Sequence, residues 1–252
     1  MSEPKPKSVM RSLERAIDVL EVLEASRSPL RLSEVARRAG LHVATAQRLL
    51  ATLESRGRVE QGPSGYRTGV AMLFGAHAFL ATNPVAVSAP PVLQELAVST
   101  GLTASVFVRV GSARAVVARV EGANPLRYAL PIGERLPLHL GAGKALAAFM
   151  DRAEVSDLLS EVGDFSYANG RPRPLESLLE ELALIRDQGW CYSVDERVVG
   201  ASSVASPVIS PGGASDCAVQ VAGPSSDPKF DDVARLSVEV RQASAALATR
   251  LS

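Results

Sequence analysis

Residues 32–53 read LSEVARRAGLHVATAQRLLATL, and this stretch decides how the front of the chain folds. Leu32, Val35, Ala36 and Ala39 recur at helical spacing, Gly40 interrupts the pattern, and Val43, Ala46, Leu50 and Leu53 restart it. Two short amphipathic helices joined by a tight turn form a helix-turn-helix, whose natural partner is duplex DNA. Ser33 with Glu34 is expected to place an acceptor and a negative charge at the start of the first helix. The outer face of the second helix carries Ala44, Thr45, Gln47, Arg48, Ala51 and Thr52. Small and polar residues there allow close approach to a major groove, where Gln reads adenine and Arg reads guanine or holds phosphate. The competing reading is an ordinary helical hairpin packed inside a globular domain.

The flanking residues favour the first reading. Leu13, Ile17, Leu20 and Leu23 give a helical stripe within a helix predicted over Val9–Ala25, enough to close a three-helix core. Arg56-Gly57 ends the second helix of the motif. Residues 58–68 (RVEQGPSGYRT) then place two short β-like arms around Gly62-Pro63-Ser64-Gly65. The order is that of a winged helix-turn-helix. Tyr66 and Arg67 on the return arm are either phosphate contacts of the wing or a hairpin aromatic and a solvated charge.

The 252-residue chain is 46% hydrophobic, which supports packed cores rather than disorder. Its formal net charge is zero, yet residues 1–70 hold 12 Lys and Arg against 8 Asp and Glu, and residues 71–252 hold 15 against 19. A basic front on an acidic back fits a DNA-reading module joined to a part that does not touch DNA. Lys5, Lys7 and Arg11 add a short basic arm.

The polar N-terminus lacks a signal-peptide apolar region, and no run of about 18 apolar residues suggests a membrane span. A cytoplasmic protein with no membrane partner is expected. Cys191 and Cys217 are too few for a disulfide framework, and His42, His77 and His139 lack close ligand spacing, so no metal site or cofactor is expected.

Behind the wing, Val70–Ala81 (VAMLFGAHAFLA) reads as a linker helix stopped by Thr82-Asn83-Pro84. An apolar helix between domains needs a cover, and a two-fold partner is the usual one for a protein reading paired half-sites. A second helix is predicted over about 89–99. Thr103–Val110 and Ala113–Val120 then form a hairpin around Gly111-Ser112, and Arg127–Pro131 (RYALP) is expected to add a strand. Helices follow from Gly141 to about Phe149, over Ala153–Ser160 and over Leu175–Gln188, with Asn169–Pro174 a loop and Gly189 a C-terminal cap. Val198–Val208 and Ala214–Val221 close the sheet, and Phe230–Leu251 is a terminal helix. The pattern is α+β, an antiparallel sheet flanked by helices.

Taken in order, SLERAIDVLEVL, the helix-turn-helix, the Tyr-Arg-Thr-Gly end of the wing, LPLHLGAGKALAAF from Leu136, IRDQGW, SVASPV and Ala222-Gly223-Pro224 resemble the IclR family of transcriptional regulators over about 240 residues. The resemblance implies a winged helix-turn-helix (1–69), a linker helix (70–83) and a GAF-like effector-binding domain (84–252). It also implies a homodimer or dimer of dimers on a pseudo-palindromic double-stranded DNA operator, controlled by a small-molecule effector such as an organic acid. The candidate DNA-binding residues are Arg11, Ser33, His42, Ala44, Thr45, Gln47, Arg48, Thr52, Tyr66 and Arg67. Members often carry Ser-Thr where this chain has Ala44-Thr45. Family ligands are held near the residues matching Gly141 and Ala142, where helix-start N–H groups can receive a carboxylate. Where the family has Asp, Gly-Leu, Cys and a downstream Ser on the pocket wall, this chain has Ser193, Gly200-Ala201, Ser203 and Gln220. Those changes alter pocket volume and hydrogen bonding, so no 2-oxo acid specificity follows.

Enzyme signatures fail. A Walker loop needs Gly at 138 and Ser or Thr at 145, where Leu138 and Ala145 stand, and no G-x-S-x-G elbow exists. Asp195-Glu196 reads as a solvated or backbone-bonded turn rather than an acid/base pair. A ligand-controlled DNA-binding regulator is therefore favoured, with a metabolic enzyme or a non-DNA sensor whose winged helix binds protein as the alternative.

Overall fold

The computed structural model describes residues 10–123, 125, 130–162, 165–213 and 215–252. Lys5, Lys7 and the first three residues of the expected RYALP strand lie outside them. The chain divides into two compact units, residues 1–79 and 80–252.

In the first unit α1 (Arg11–Glu24), α2 (Leu32–Arg38) and α3 (Val43–Ser55) are followed by the hairpin β1 (Val59–Gly62) and β2 (Gly65–Thr68). Val19 and Leu23 of α1 meet Val35, Leu50, Val59 and Tyr66 in one core. Burying these side chains is what holds three short helices together, since none is long enough to be stable alone. Leu30 and Tyr66 exchange both backbone hydrogen bonds, at 2.9 and 2.8 Å, tying the wing to the segment before α2. That closeness is why position 65 is glycine: its φ is +131°, and a Cβ would sit 2.4 Å from the Leu30 carbonyl oxygen.

Several local expectations change. Leu13 and Ile17, expected in the stripe of α1 that closes the core, are 54% and 47% exposed, and Val19 with Leu23 closes it instead. Ser33 does not cap α2, because the helix begins at Leu32 with Arg31 as its N-cap and leaves Ser33 exposed within the first turn. Glu34 pairs instead with Arg38 one turn on, at 2.5 Å. Val43 is 44% exposed, lying at the outer end of α3 next to the N-cap His42, while Ala46 and Leu50 carry the buried stripe.

The linker helix α4 (Met72–Thr82) spans the division between the units, and none of its residues is buried. In the second unit α5 (Pro84–Thr100) begins earlier than the pattern suggests. Asn83 caps it by accepting the Val85 and Ala86 N–H groups at 3.0 and 3.1 Å, and Pro84 stands where no N–H is needed.

Next come β3 (Thr103–Val110), β4 (Ala113–Val120), β5 (Arg135–Pro137), α6 (Ala142–Ala147) and α7 (Arg152–Val162). The small hairpin β6 (Phe165–Ser166) and β7 (Pro172–Arg173) occupies part of the expected 169–174 loop. It is followed by α8 (Leu175–Gln188), β8 (Cys191–Val194), β9 (Ala201–Val208) and β10 (Cys217–Pro224). A short 3-10 turn (Pro228–Asp232) then leads into α9 (Val233–Leu251). The main sheet is antiparallel, in the order β5-β4-β3-β10-β9-β8. Its edges are β5 and β8, and the described residues of RYALP, Leu130 and Pro131, lie outside any strand. The strand expected from Val198 starts at Ala201 because Asp195 and Gly200, at φ 55° and 79°, hold a turn ahead of it.

Side-chain alternation divides the sheet into two faces. Val106, Val204 and Val219 pack with Leu93 and Leu96 of α5 and Val240 of α9. Phe107, Ala205 and Ala218 point the other way, against Leu146 of α6 and Leu178 and Ile185 of α8. This second face holds the cavity.

Candidate nucleic-acid interface and ligand cavity

On α3, Ala44, Gln47, Arg48 and Thr52 are exposed and Thr45 is half-buried, opposite the stripe of Ala46 and Leu50. The side chains of Gln47 and Arg48 make no hydrogen bond or ion pair with any described residue, so both are available to a partner. Thr52 Oγ1 is already donated to the Arg48 carbonyl one turn back, at 3.0 Å. His42 accepts the Ala44 N–H through Nδ1 at 3.4 Å, which places it at the tip of the helix as its cap. Arg11 and Ser33 are exposed on α1 and α2.

The wing residues separate. Tyr66, expected as a DNA contact, is instead only 9% exposed and belongs to the core, where its ring anchors the return strand. Arg67 is exposed and spans the hairpin to Glu60 at 2.8 Å. That hydrogen bond and ion pair hold the Glu60 carboxyl below its ordinary range and the Arg67 guanidinium above its own.

Alternation along four strands brings the second site together. Arg114 shares a sheet face with Val116, Ser193 with Cys191, Ser203 with Ala205, and Gln220 with Ala218, and all four face a cavity of about 70 Å³. Gly141, at the start of α6, and Ala201 also line it. Five of the six residues expected at the effector site therefore meet. Ala142 is fully buried beneath the wall and contributes through its N–H alone.

The helix start differs from expectation in its chemistry. The Gly141 N–H is donated to Glu196 Oε2 at 2.8 Å, and the Ala142 N–H to Gln220 Oε1 at 3.2 Å. Two of the protein's own side chains occupy the donors that a ligand carboxylate was expected to use. Helix α6 is also only six residues long.

Sequence reading missed the charged groups here. Lys144 is fully buried, with Nζ bonded to Glu181 at 2.7 Å and to Glu196. Burial opposes the ammonium charge, but Glu196, Cys191 and Glu181 outweigh it and keep the Lys144 pKa above its ordinary 10.5. Arg173 reaches the other Glu181 oxygen and Tyr167. Glu196 is thus buried and ion-paired rather than solvated, while Asp195 takes the backbone-bonded role, accepting the Gly200 N–H at 2.6 Å.

Arg114 lies at the centre, 3% exposed, donating Nη1 to the Pro137 carbonyl at 2.6 Å and to that of Leu140. Burial, with the positive charge of Arg197 adding to it, lowers its pKa from 12.5 to about 9. It remains a cation at neutral pH. The two glycines of Gly141-Ala142-Gly143-Lys144 make room for it: Cβ atoms there would lie 3.1 and 2.2 Å from its guanidinium nitrogens. These are packing glycines, not a phosphate loop. Cys191 and Cys217 are buried free thiols pushed by desolvation to about 11 and about 12. Among the described residues no group of His, Cys, Asp and Glu gathers to hold a metal ion, and no single helix is long and apolar enough to cross a membrane.

Comparison with known proteins matches both parts of the chain to one family. Residues 77–249 match the family model for the bacterial transcriptional regulator IclR C-terminal domain, and residues 12–63 match the IclR helix-turn-helix domain. The HTH-type transcriptional repressor AllR of Escherichia coli (strain K12) is 28% identical over 228 residues, 89% of this chain and 84% of that protein. The crystal structure of an IclR transcriptional regulator from Alicyclobacillus acidocaldarius is similar with a TM-score of 0.80 at 24% identity, covering 97% of this chain and all of that one (100%). An IclR homologue from Microbacterium hydrocarbonoxydans, solved in complex with 4-hydroxybenzoate, has a TM-score of 0.73 at 21% identity, with 95% and 98% covered.

Proposed function

Because the chain belongs to the IclR family of bacterial transcriptional regulators, we propose that it reads a pseudo-palindromic operator through α3 and the wing while a small molecule in the sheet cavity sets its affinity for DNA. The observation that carries this reading is the outward, uncommitted pair Gln47 and Arg48, on a helix whose opposite face is locked into the core. Residues 1–69 form the DNA-reading module, 70–83 the linker and 84–252 the effector domain, and the protein works in the cytoplasm. Thr45, Gln47 and Arg48 enter the major groove. Arg11, Ser33, His42, Ala44, Thr52 and Arg67 lie at its margins, near phosphate.

A homodimer, alone or paired as a dimer of dimers, supplies the two-fold symmetry. Its support is the linker helix and the residues before it, where Val70, Leu73 and Phe74 are 68%, 65% and 69% exposed. Side chains this apolar are ordinarily covered, and a second copy of the same helix is a self-complementary cover.

Selection from a random-sequence duplex pool with the full chain, followed by titration of the winner at several salt concentrations, tests the proposal. The expected product is an inverted repeat whose binding constant falls linearly with salt on logarithmic axes. Recovery of no enriched sequence, or salt-independent binding, counts against it.

A further inference from the structure

Arg114 is a buried cation that forms no ion pair with any described residue. Among the described residues no carboxylate lies within ion-pair distance of it, and its Nε has no hydrogen-bond partner. The other two buried cations here are matched, Lys144 by Glu181 and Glu196, and Arg173 by Glu181. Arg197 in the same wall adds positive charge, and Glu196 in that wall offsets only part of it, its two carboxylate oxygens being committed to Lys144 and the Gly141 N–H. Ser193 Oγ, 6% exposed as a residue and also in the wall, has no partner either. Buried charges in folded proteins are paired, and buried polar atoms are bonded, unless something else completes them.

We propose that the cavity takes a compact monocarboxylate whose charge is neutralised by Arg114 and whose second polar group meets Ser193, so that Arg114 selects anionic over neutral ligands. This rests on the reading of the cavity as the effector site and names the ligand class it admits. The start of α6 is not the anion holder, since its first N–H groups are committed to Glu196 and Gln220. The charge sits on the side chain of a β4 residue instead. Size limits the ligand: about 70 Å³, at roughly 10–15 Å³ per water, corresponds to about five to seven non-hydrogen atoms. Leu130, Leu140, Val198 and Ala201 supply apolar wall for a short carbon chain, which suits a monoanion better than a hydrated phosphate.

The test titrates the full-length protein calorimetrically with sodium salts of two- to four-carbon monocarboxylic acids, plain and 2-hydroxy, each beside its neutral amide, and with inorganic phosphate. At least one acid is expected to bind while its amide does not. Arg114→Met should weaken that acid roughly 10- to 100-fold, as loss of a charged hydrogen-bond partner does. Arg114→Lys, which keeps the charge, should retain the preference for acid over amide at reduced affinity, and guards against misreading a folding defect. Equal binding of acid and amide, unchanged affinity in Arg114→Met, binding of phosphate alone, or binding of no acid overturns the proposal. Arg114-dependent acid binding that leaves DNA affinity unchanged would uphold the anion site and remove the effector assignment, so the two failures are distinguishable.

Discussion

Glu196 holds the buried Lys144 ammonium with one carboxylate oxygen and the Gly141 N–H with the other, the latter at 2.8 Å. One side chain therefore joins the cavity wall to the ion network beneath it. Lys144→Met removes a fully buried charge and strands Glu196, itself 8% exposed, without its cation. Such a break in a buried pair costs about 3–5 kcal/mol, and urea denaturation should show a lower midpoint of that order. The sign of the pH dependence follows from the raised Lys144 pKa. The stabilisation is fully present below the unfolded value of 10.5 and is lost as pH climbs through the higher folded value. Acidification towards neutrality should leave this contribution unchanged.

Two adjacent residues of α3 should fail differently. Arg48→Ala should weaken binding to all duplexes and reduce the salt slope by about one phosphate contact. Gln47→Ala should relax preference at one base pair, worth about 1–3 kcal/mol of discrimination, with little change in slope. Anisotropy titrations on the selected operator and on single-base variants separate the two. A common, sequence-independent loss for both variants would place Gln47 on the backbone instead.

The winged unit was legible because its signals are local. Apolar spacing in 32–53 and glycines at turns depend on neighbours in the chain, and β1 and β2 fall within the expected arms. The β3–β4 hairpin was equally readable, its limits Thr103–Val110 and Ala113–Val120 matching the β-branched runs. The cavity was legible only through family resemblance, which pointed to Ser193, Ser203 and Gln220. Arg114 escaped because ARAVVARV is Ala- and Val-rich on both faces, so no polar alternation marks its direction; its place two residues before Val116 was the available signal. The ion network of Lys144, Glu181 and Glu196 joins residues 37 and 52 positions apart, which no local pattern encodes. Tyr66 was misread for the same reason, since its burial depends on Leu30, 36 positions earlier in the chain.

Phe74→Glu tests the cover over α4. Phe74 is 69% exposed and α4 buries none of its own residues, so the substitution should leave the chain's own fold and melting temperature nearly unchanged. Paired in a two-fold interface, the new carboxylates would be desolvated against apolar surface. Sedimentation should then show a shift to monomer, and affinity for a two-half-site operator should fall towards that of a single half-site. A variant that keeps its wild-type mass in solution would assign the dimer contact to another surface.

Gln220→Glu should fill the anion position from within. Gln220 Oε1 and an Arg114 guanidinium nitrogen lie 3.7 and 3.1 Å from the same point, where a Cβ on Gly141 would stand. A carboxylate at 220 keeps an acceptor for the Ala142 N–H and adds the charge that Arg114 lacks, with almost no change in volume. Two effects should follow together: higher stability without ligand and loss of the response to added acid. Gln220→Ala supplies the contrast, because it leaves the buried Ala142 N–H without its acceptor, at a cost of about 1–3 kcal/mol. Denaturation midpoints of wild type and both variants, with and without an acid that binds wild type, read out the pair. If Gln220→Glu is no more stable than wild type and still answers to the acid, its carboxylate does not reach Arg114 and the cavity's positive charge is balanced elsewhere.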